Sequence, residues 1–174
     1  MKERPILMTP ENAQKCFDGV KSQTRRIVKD INPTFLQGNP TGQQIHNAMR
    51  CPYGEVGDRL WIRESFCITS ADEGTQGLLY RGQCEEYPSL KKIWKPSLHM
   101  PRWACRTVVQ ITEIRVQRVQ DISDDDKIAE GMDPNTCLRG RTDQWIMLWN
   151  SINGDDSWDE NPWVWCISFK KVAS

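Results

Sequence analysis

The apolar positions of this chain change period several times, and each change marks an element. Pro5-Ile6-Leu7-Met8 is a short apolar run that reads as a first strand. A helix follows. Thr9 suits its N-cap, Pro10 its first helical position and Glu11 the positive end of its dipole. Ala13, Cys16 and Phe17 line one face, and Gly19 fits the left-handed residue that ends a helix. Ile27 and Val28 read as strand again. Farther on, Gly57-Asp58 turns the chain into a strand. There Leu60 and Ile62 face one way and Trp61 and Arg63 the other, with Glu64 on the Leu60 face and directed inward.

The clearest strand signal spans 106–119, where Val109, Ile111 and Glu113 alternate with Val108, Gln110 and Thr112. Its apolar set changes face near Glu113, which predicts a bend or bulge. Ser123 caps a further helix, with Asp126 as its box-like partner, and Gly131 ends it. Over 142–152, Trp145, Leu148, Trp149 and Ile152 form a helical stripe. Trp163, Trp165, Ile167 and Phe169 then alternate with Val164, Cys166, Ser168 and Lys170. This predicts a final strand with one buried face and Trp145 and Trp149 packed nearby.

Two stretches show neither period. Residues 29–56 are rich in Asn, Pro, Gly and Gln and read as a long loop, with a helical turn near Gln43 to Met49. Residues 69–103 are punctuated by Gly and Pro, with a short strand around Leu78–Tyr80. Loops this long are usually functional or mobile, so both read as insertions on a smaller domain within one unit, 1–174. The class is α+β with two or three flanking helices.

Charge narrows the function. Lys+Arg and Asp+Glu are equal at 23 each, which argues against a protein that coats nucleic acid by bulk charge and leaves a local basic groove open. No window reaches the length of a membrane span and no apolar leader follows a basic start, so the default is a cytoplasmic protein with no membrane partner. Seven scattered cysteines without a Cys-x-x-Cys pair, and only two histidines, predict reduced thiols, no metal and no cofactor. Oligomeric state is not legible.

Gly19-x-Lys21-x-x-Thr24-x-Arg26 resembles the signature of the ASCH domain, a member of the PUA-like superfamily of small β-barrels. Gly57-Asp58-Arg59-Leu60-Trp61-Ile62-Arg63-Glu64, the Ser123-to-Gly131 helix and Asn161-Pro162-Trp163-Val164-Trp165 resemble later parts of the same pattern. The set is similar to a phage- and prophage-encoded branch. The resemblance implies a small mixed β-barrel and a partner that is RNA or a modified nucleoside or base. Some compact ASCH proteins are amidohydrolases that remove the acetyl group from N4-acetylcytidine. Carried over, that pattern makes Lys21 the proton acceptor, Thr24 the nucleophile and Glu130 the proton donor. The two insertions have no counterpart in the compact hydrolases.

The residue types suit those roles. A hydroxyl needs a base to become a nucleophile, and a lysine near other cations can be that base. Taken alone, each better suits a solvated turn, an ordinary strand entry or a helix end; it is the three together that point to a shared polar cleft. Arg25, Arg26, Arg59, Arg63 and Arg102 suit a phosphate-binding rim, and Glu64 could border it. Trp94 and Trp103, beside basic residues, are candidate stacking surfaces, with His99 near the same opening. Asp58 is read as a structural turn residue. The expected function is binding of RNA or a modified base, with amide hydrolysis as its leading chemistry. A non-catalytic reader and a phage accessory protein docking a host protein are the alternatives. For Glu130 to meet Lys21, the Ser123 helix must pack beside the Thr9 helix with both C-terminal ends at one rim and Arg26 bordering the pocket. Lys21 and Thr24 lie outside the apolar stripes, so substituting either is expected to leave the fold intact.

Overall fold

The computed structural model describes residues 1–70, 76–83 and 94–172. Its centre is a five-stranded mixed sheet in the order β1 (Glu3–Leu7), β3 (Arg59–Arg63), β6 (Val108–Arg118), β7 (Trp163–Lys171), β2 (Gln23–Ile27). The β1–β3 pair is parallel and the other pairs are antiparallel. A two-stranded ribbon pairs β4 (Phe66–Ser70) with β5 (Gln76–Tyr80). Among the described residues five α-helices accompany the strands: α1 (Pro10–Phe17), α2 (Pro33–Gln37), α3 (Gly42–Ala48), α4 (Asp124–Ala129) and α5 (Leu138–Asn153). The α+β class holds. Among the described residues no helix is long and apolar enough to cross a membrane.

The sheet is not closed: no ladder joins its edge strands β1 and β2 among the described residues. Arg26 spans that seam instead, its Nη2 donating to the Leu7 carbonyl at 2.6 Å. The bulge predicted near Glu113 is present, where the β6–β7 register slips between Ile111 and Glu113. Thr9 caps α1 and Ser123 caps α4, each hydroxyl accepting from a backbone N–H in the first turn. The Asp126 side chain does not complete a capping box; it turns toward β2 and β6 and pairs with arginines.

Two further expectations are corrected. Residues 29–56 are more regular than a long loop with one helical turn: the turn expected near Gln43 to Met49 is the helix α3, and α2 is a second helix beyond that expectation. Thr41 and Gln44 form a full capping box that starts α3, and Ile45, fully buried, joins the central core. α3 also lies close on β6, because a Cβ at Gly42 would stand 1.9 Å from the Val116 carbonyl oxygen. The second correction concerns β7, which buries both faces. Trp165, Ile167 and Phe169 enter the core with Ile6, Leu60 and Ile62, whereas Val164 and Cys166 enter a second core with Val119, Trp145 and Trp149. The apolar run is continuous from Trp163 to Ile167, the pattern of a strand covered on both sides. Trp145 and Trp149 therefore pack opposite Trp165. Trp163 is only half-buried and holds the Arg118 guanidinium 4.3 Å above its ring.

Candidate functional site

The site begins where α1 stops. Gly19, with φ of 78°, reverses the chain, and the N–H groups of Val20 and Lys21 donate to the Lys15 carbonyl. Ser22 N–H then donates to the Ala129 carbonyl at 2.8 Å, tying the start of β2 to the end of α4. The C-terminal ends of α1 and α4 thus meet. α4 is itself pinned to α5: Lys127 donates to the Thr142 hydroxyl, and buried Arg141 pairs with Asp124 while donating to the Pro134 and Thr136 carbonyls.

At that meeting point lies a buried charge network. Lys21 Nζ contacts Glu130 Oε2 and donates to the Glu130 carbonyl at 2.9 Å, although 109 residues separate the two in sequence. Carbonyls at a helix end favour a cation there. Arg25 Nη1 donates to Glu130 Oε1 at 3.0 Å and to Gln23 Oε1 at 2.7 Å. Its Nη2 donates to Asp126 Oδ2 at 2.7 Å, and Arg115 Nη2 reaches both Asp126 oxygens at 2.7 Å. Burial pushes the Asp126 carboxyl upward, but the hydrogen bonds from Arg115 and Gln23 and the charges of Arg25 and Arg115 outweigh it and hold it below the usual carboxylate range. The Lys21 and Glu130 side chains are each only 2 % exposed and that of Arg25 is fully covered.

Two cavities meet here. The outer one, of about 610 Å³, opens along the β1–β2 seam and is lined by β1, Met8, Thr9, Arg26, Tyr53 and Arg63, among others. The inner one, of about 20 Å³, holds Lys21, Thr24, Arg25 and Glu130 against Trp145 and Trp149. Asn12, Arg26, Ile152 and Asn153 line both and form the throat between them. Lys21, Thr24, Glu130 and Arg26 therefore share one cleft.

The other candidates divide. Arg63 borders the outer cavity, stacked on Trp61 at 5.4 Å with its Nε donating to the Ser97 carbonyl. Arg25 is a buried network member and not part of a rim. Glu64 faces inward, as its strand position required, but it borders neither cavity; Arg106 holds it through two hydrogen bonds of 2.8 Å and is itself sandwiched between the Phe17 and Tyr80 rings. Arg102 pairs with Glu3 on the surface, and His99 and Trp103 are exposed, Trp103 by 66 %. Trp94 is half-buried, and none of Trp94, His99, Arg102 and Trp103 lines the cleft. Asp58 accepts from the Lys2 and Glu55 N–H groups, the turn role its position suggested.

Sequence reasoning missed Asn12, Tyr53 and Asn153. Asn12 had a legible sign: it is a polar residue four before Cys16, on the buried face of α1. Among the described residues, no group of three or more His, Cys, Asp or Glu is placed to hold a metal ion, and the six described cysteines are free. Cys84 and part of the 69–103 stretch lie outside the described residues.

The chain matches no family model and no curated protein. Among solved structures it is similar to a protein of Enterococcus faecalis V583 described under the family model DUF984, at 10% identity and a TM-score of 0.49, covering 99% of this chain and 80% of that one. It is also similar to an ASCH domain of Lactobacillus crispatus JV V101, at 11% identity and a TM-score of 0.46, covering 98% and 79%. Likeness at this level establishes neither family nor function.

Proposed function

We propose that the chain binds a nucleoside, free or within RNA, in the two-part cleft and hydrolyses the amide of an N4-acylated cytidine there. The observation that carries this reading is the buried Lys21–Glu130 pair, which shares the inner end of the cleft with the Thr24 hydroxyl. The outer cavity is within the size range of small-molecule sites. The order of Lys, Thr and Glu also matches the ASCH-like motif.

The resting pair is lysine ammonium against glutamate carboxylate. Moving one proton from Lys21 Nζ to Glu130 Oε2 gives a neutral amine and a carboxylic acid, the base and acid that amide cleavage needs. Thr24 Oγ then attacks the acyl carbon and its proton passes to Lys21. The tetrahedral intermediate collapses, the C–N bond breaks, and Glu130 gives its proton to the departing exocyclic nitrogen. Glu130, now a carboxylate, takes a proton from water as its oxygen attacks the threonine ester; Lys21 returns a proton to the departing Thr24 Oγ, the carboxylic acid leaves and the neutral amine–acid pair is regenerated. Arg25 opposes the first transfer by stabilising the Glu130 carboxylate, so it tunes how readily the pair is neutralised. Positioned acid–base groups of this kind supply roughly 10²- to 10⁴-fold in rate.

A non-catalytic reader of a modified base is the second reading. It is favoured by the inner cavity, whose volume of about 20 Å³ has room for about one water and not for an acyl group without side-chain movement. Incubation with N4-acetylcytidine and a panel of modified nucleosides, read by mass, separates the two. Hydrolysis predicts release of cytidine, with a loss of at least about 100-fold in Thr24→Ala. Binding without turnover by the wild type selects the reader, and unchanged turnover in Thr24→Ala removes the nucleophile.

A further inference from the structure

We infer that the Asn12 carboxamide is a ligand-contacting group at the throat of the cleft, held open to receive the carbonyl oxygen of the bound amide. This rests on the amide-hydrolase reading above and names a group that reading does not use.

Asn12 is the third residue of α1, the position from which a longer Glu or Gln would reach back to cap the helix. Its backbone N–H is taken by the Thr9 hydroxyl at 3.3 Å. Its side chain points the other way. The residue is 7 % exposed, on the same helical face as Cys16 of the core. A buried carboxamide in that setting is ordinarily hydrogen-bonded. This one bonds to no described residue, and its polar atoms are not sealed in the core. They face the cleft, because Asn12 lines both the outer and the inner cavity.

The other throat residues are aliphatic or already carry contacts within the protein. Arg26 donates to the Leu7 and Arg25 carbonyls, Asn153 Nδ2 donates to the Trp149 carbonyl, and Ile152 is aliphatic. The Asn12 Nδ2 donor is thus unspent between the open cavity and Thr24. Its surroundings select the ligand group. Lys21, Arg25 and Arg26 all border the inner cavity, so a hydrogen-bond acceptor that gathers negative charge is favoured and a donor is not. An acyl carbonyl at the throat meets that description. It would place the acyl carbon toward Thr24 and leave the pyrimidine in the larger cavity.

The test has two arms. In the Thr24→Ala background, where turnover is blocked, N4-acetylcytidine and cytidine are titrated calorimetrically with and without Asn12→Asp, which keeps the shape and puts an anionic acceptor in place of the donor. The expected result is a loss of roughly 10- to 100-fold for the acetylated nucleoside and less than about threefold for cytidine. Equal losses for both overturn the carbonyl assignment. The second arm needs no ligand. Replacing an unpartnered buried amide by an apolar residue stabilises the free protein, so Asn12→Leu is expected to raise Tm by about 2–4 °C. A fall in Tm shows that Asn12 has a structural partner and overturns the inference whatever binds. If neither nucleoside binds but Tm rises, the substrate reading fails while Asn12 stands as the ligand-facing group.

Discussion

Glu130→Gln tests the buried network most directly. The network contains three cations, Lys21, Arg25 and Arg115, and three carboxylates, the buried Glu130, Asp126 and, at its exposed end, Glu113. Removing the Glu130 charge leaves Lys21 without a carboxylate partner and Arg25 with Asp126 as its one carboxylate, both side chains being covered. Breaking a buried pair this way costs about 3–5 kcal/mol. For a chain of this length each kcal/mol shifts Tm by about 2–4 °C, so the midpoint should fall by roughly 6–20 °C. Lys21→Met is predicted to be milder. Glu130 then keeps the Arg25 hydrogen bond, so no buried charge in the cluster is left without a charged partner. Thermal unfolding at pH 7, followed by circular dichroism for both variants and the double variant, supplies the comparison. A Glu130→Gln shift below about 2 °C, or a larger loss in Lys21→Met, would refute the argument. The expectation that a change at Lys21 spares the fold is corrected by the same geometry: Lys21 is outside the apolar core but is buried and paired.

Two other measurements follow from the charge environment. The Asp126 carboxyl is held below its ordinary range, so its contribution is complete above the unfolded pKa, about 3.9, and is lost as pH falls through the lower folded value; Asp126→Asn should therefore flatten the loss of stability seen below about pH 4 in denaturant titrations. Burial pushes the Cys166 thiol up to about 12 and the Cys16 thiol up to about 11, so at pH 8 a thiol reagent should label exposed Cys137 rapidly and reach Cys16 and Cys166 only on unfolding; fast native labelling of Cys166 would contradict its burial between Trp145 and β6.

Local signals carried much of this fold. The Thr9 and Ser123 caps, the Gly19 reversal and the bulge near Glu113 are set by neighbouring residues, and each is where its residues put it. The helical turn expected near Gln43 to Met49 is α3, set by the equally local Thr41-x-x-Gln44 box, but the Asn, Pro and Gly around it hid α2 and the seating of Ile45 in the core. The Lys21–Glu130 contact is of a different kind. No neighbour rule links residues so far apart, and it follows from α4 packing at the end of α1. Arg102, Trp103 and His99 looked like binding residues because aromatic and basic types sit together there. Side-chain type cannot say which edge of the sheet a surface segment reaches, and these face solvent away from the cleft.

The seam between β1 and β2 also bears on how the protein moves. A continuous ladder would couple the two strands, so that parting them meant breaking many backbone bonds together. Here a guanidinium reaches across, donating to the Leu7 carbonyl at 2.6 Å and to the Met8 sulfur at 3.4 Å. A side-chain hydrogen bond contributes about 0.5–1.5 kcal/mol net, far less than global unfolding requires. The mouth of the cleft can therefore widen and close in frequent local excursions while the β6–β7 ladder stays intact. On the proposed hydrolysis, such breathing would open the throat for an acyl group to reach Thr24 while the pyrimidine stays in the larger cavity.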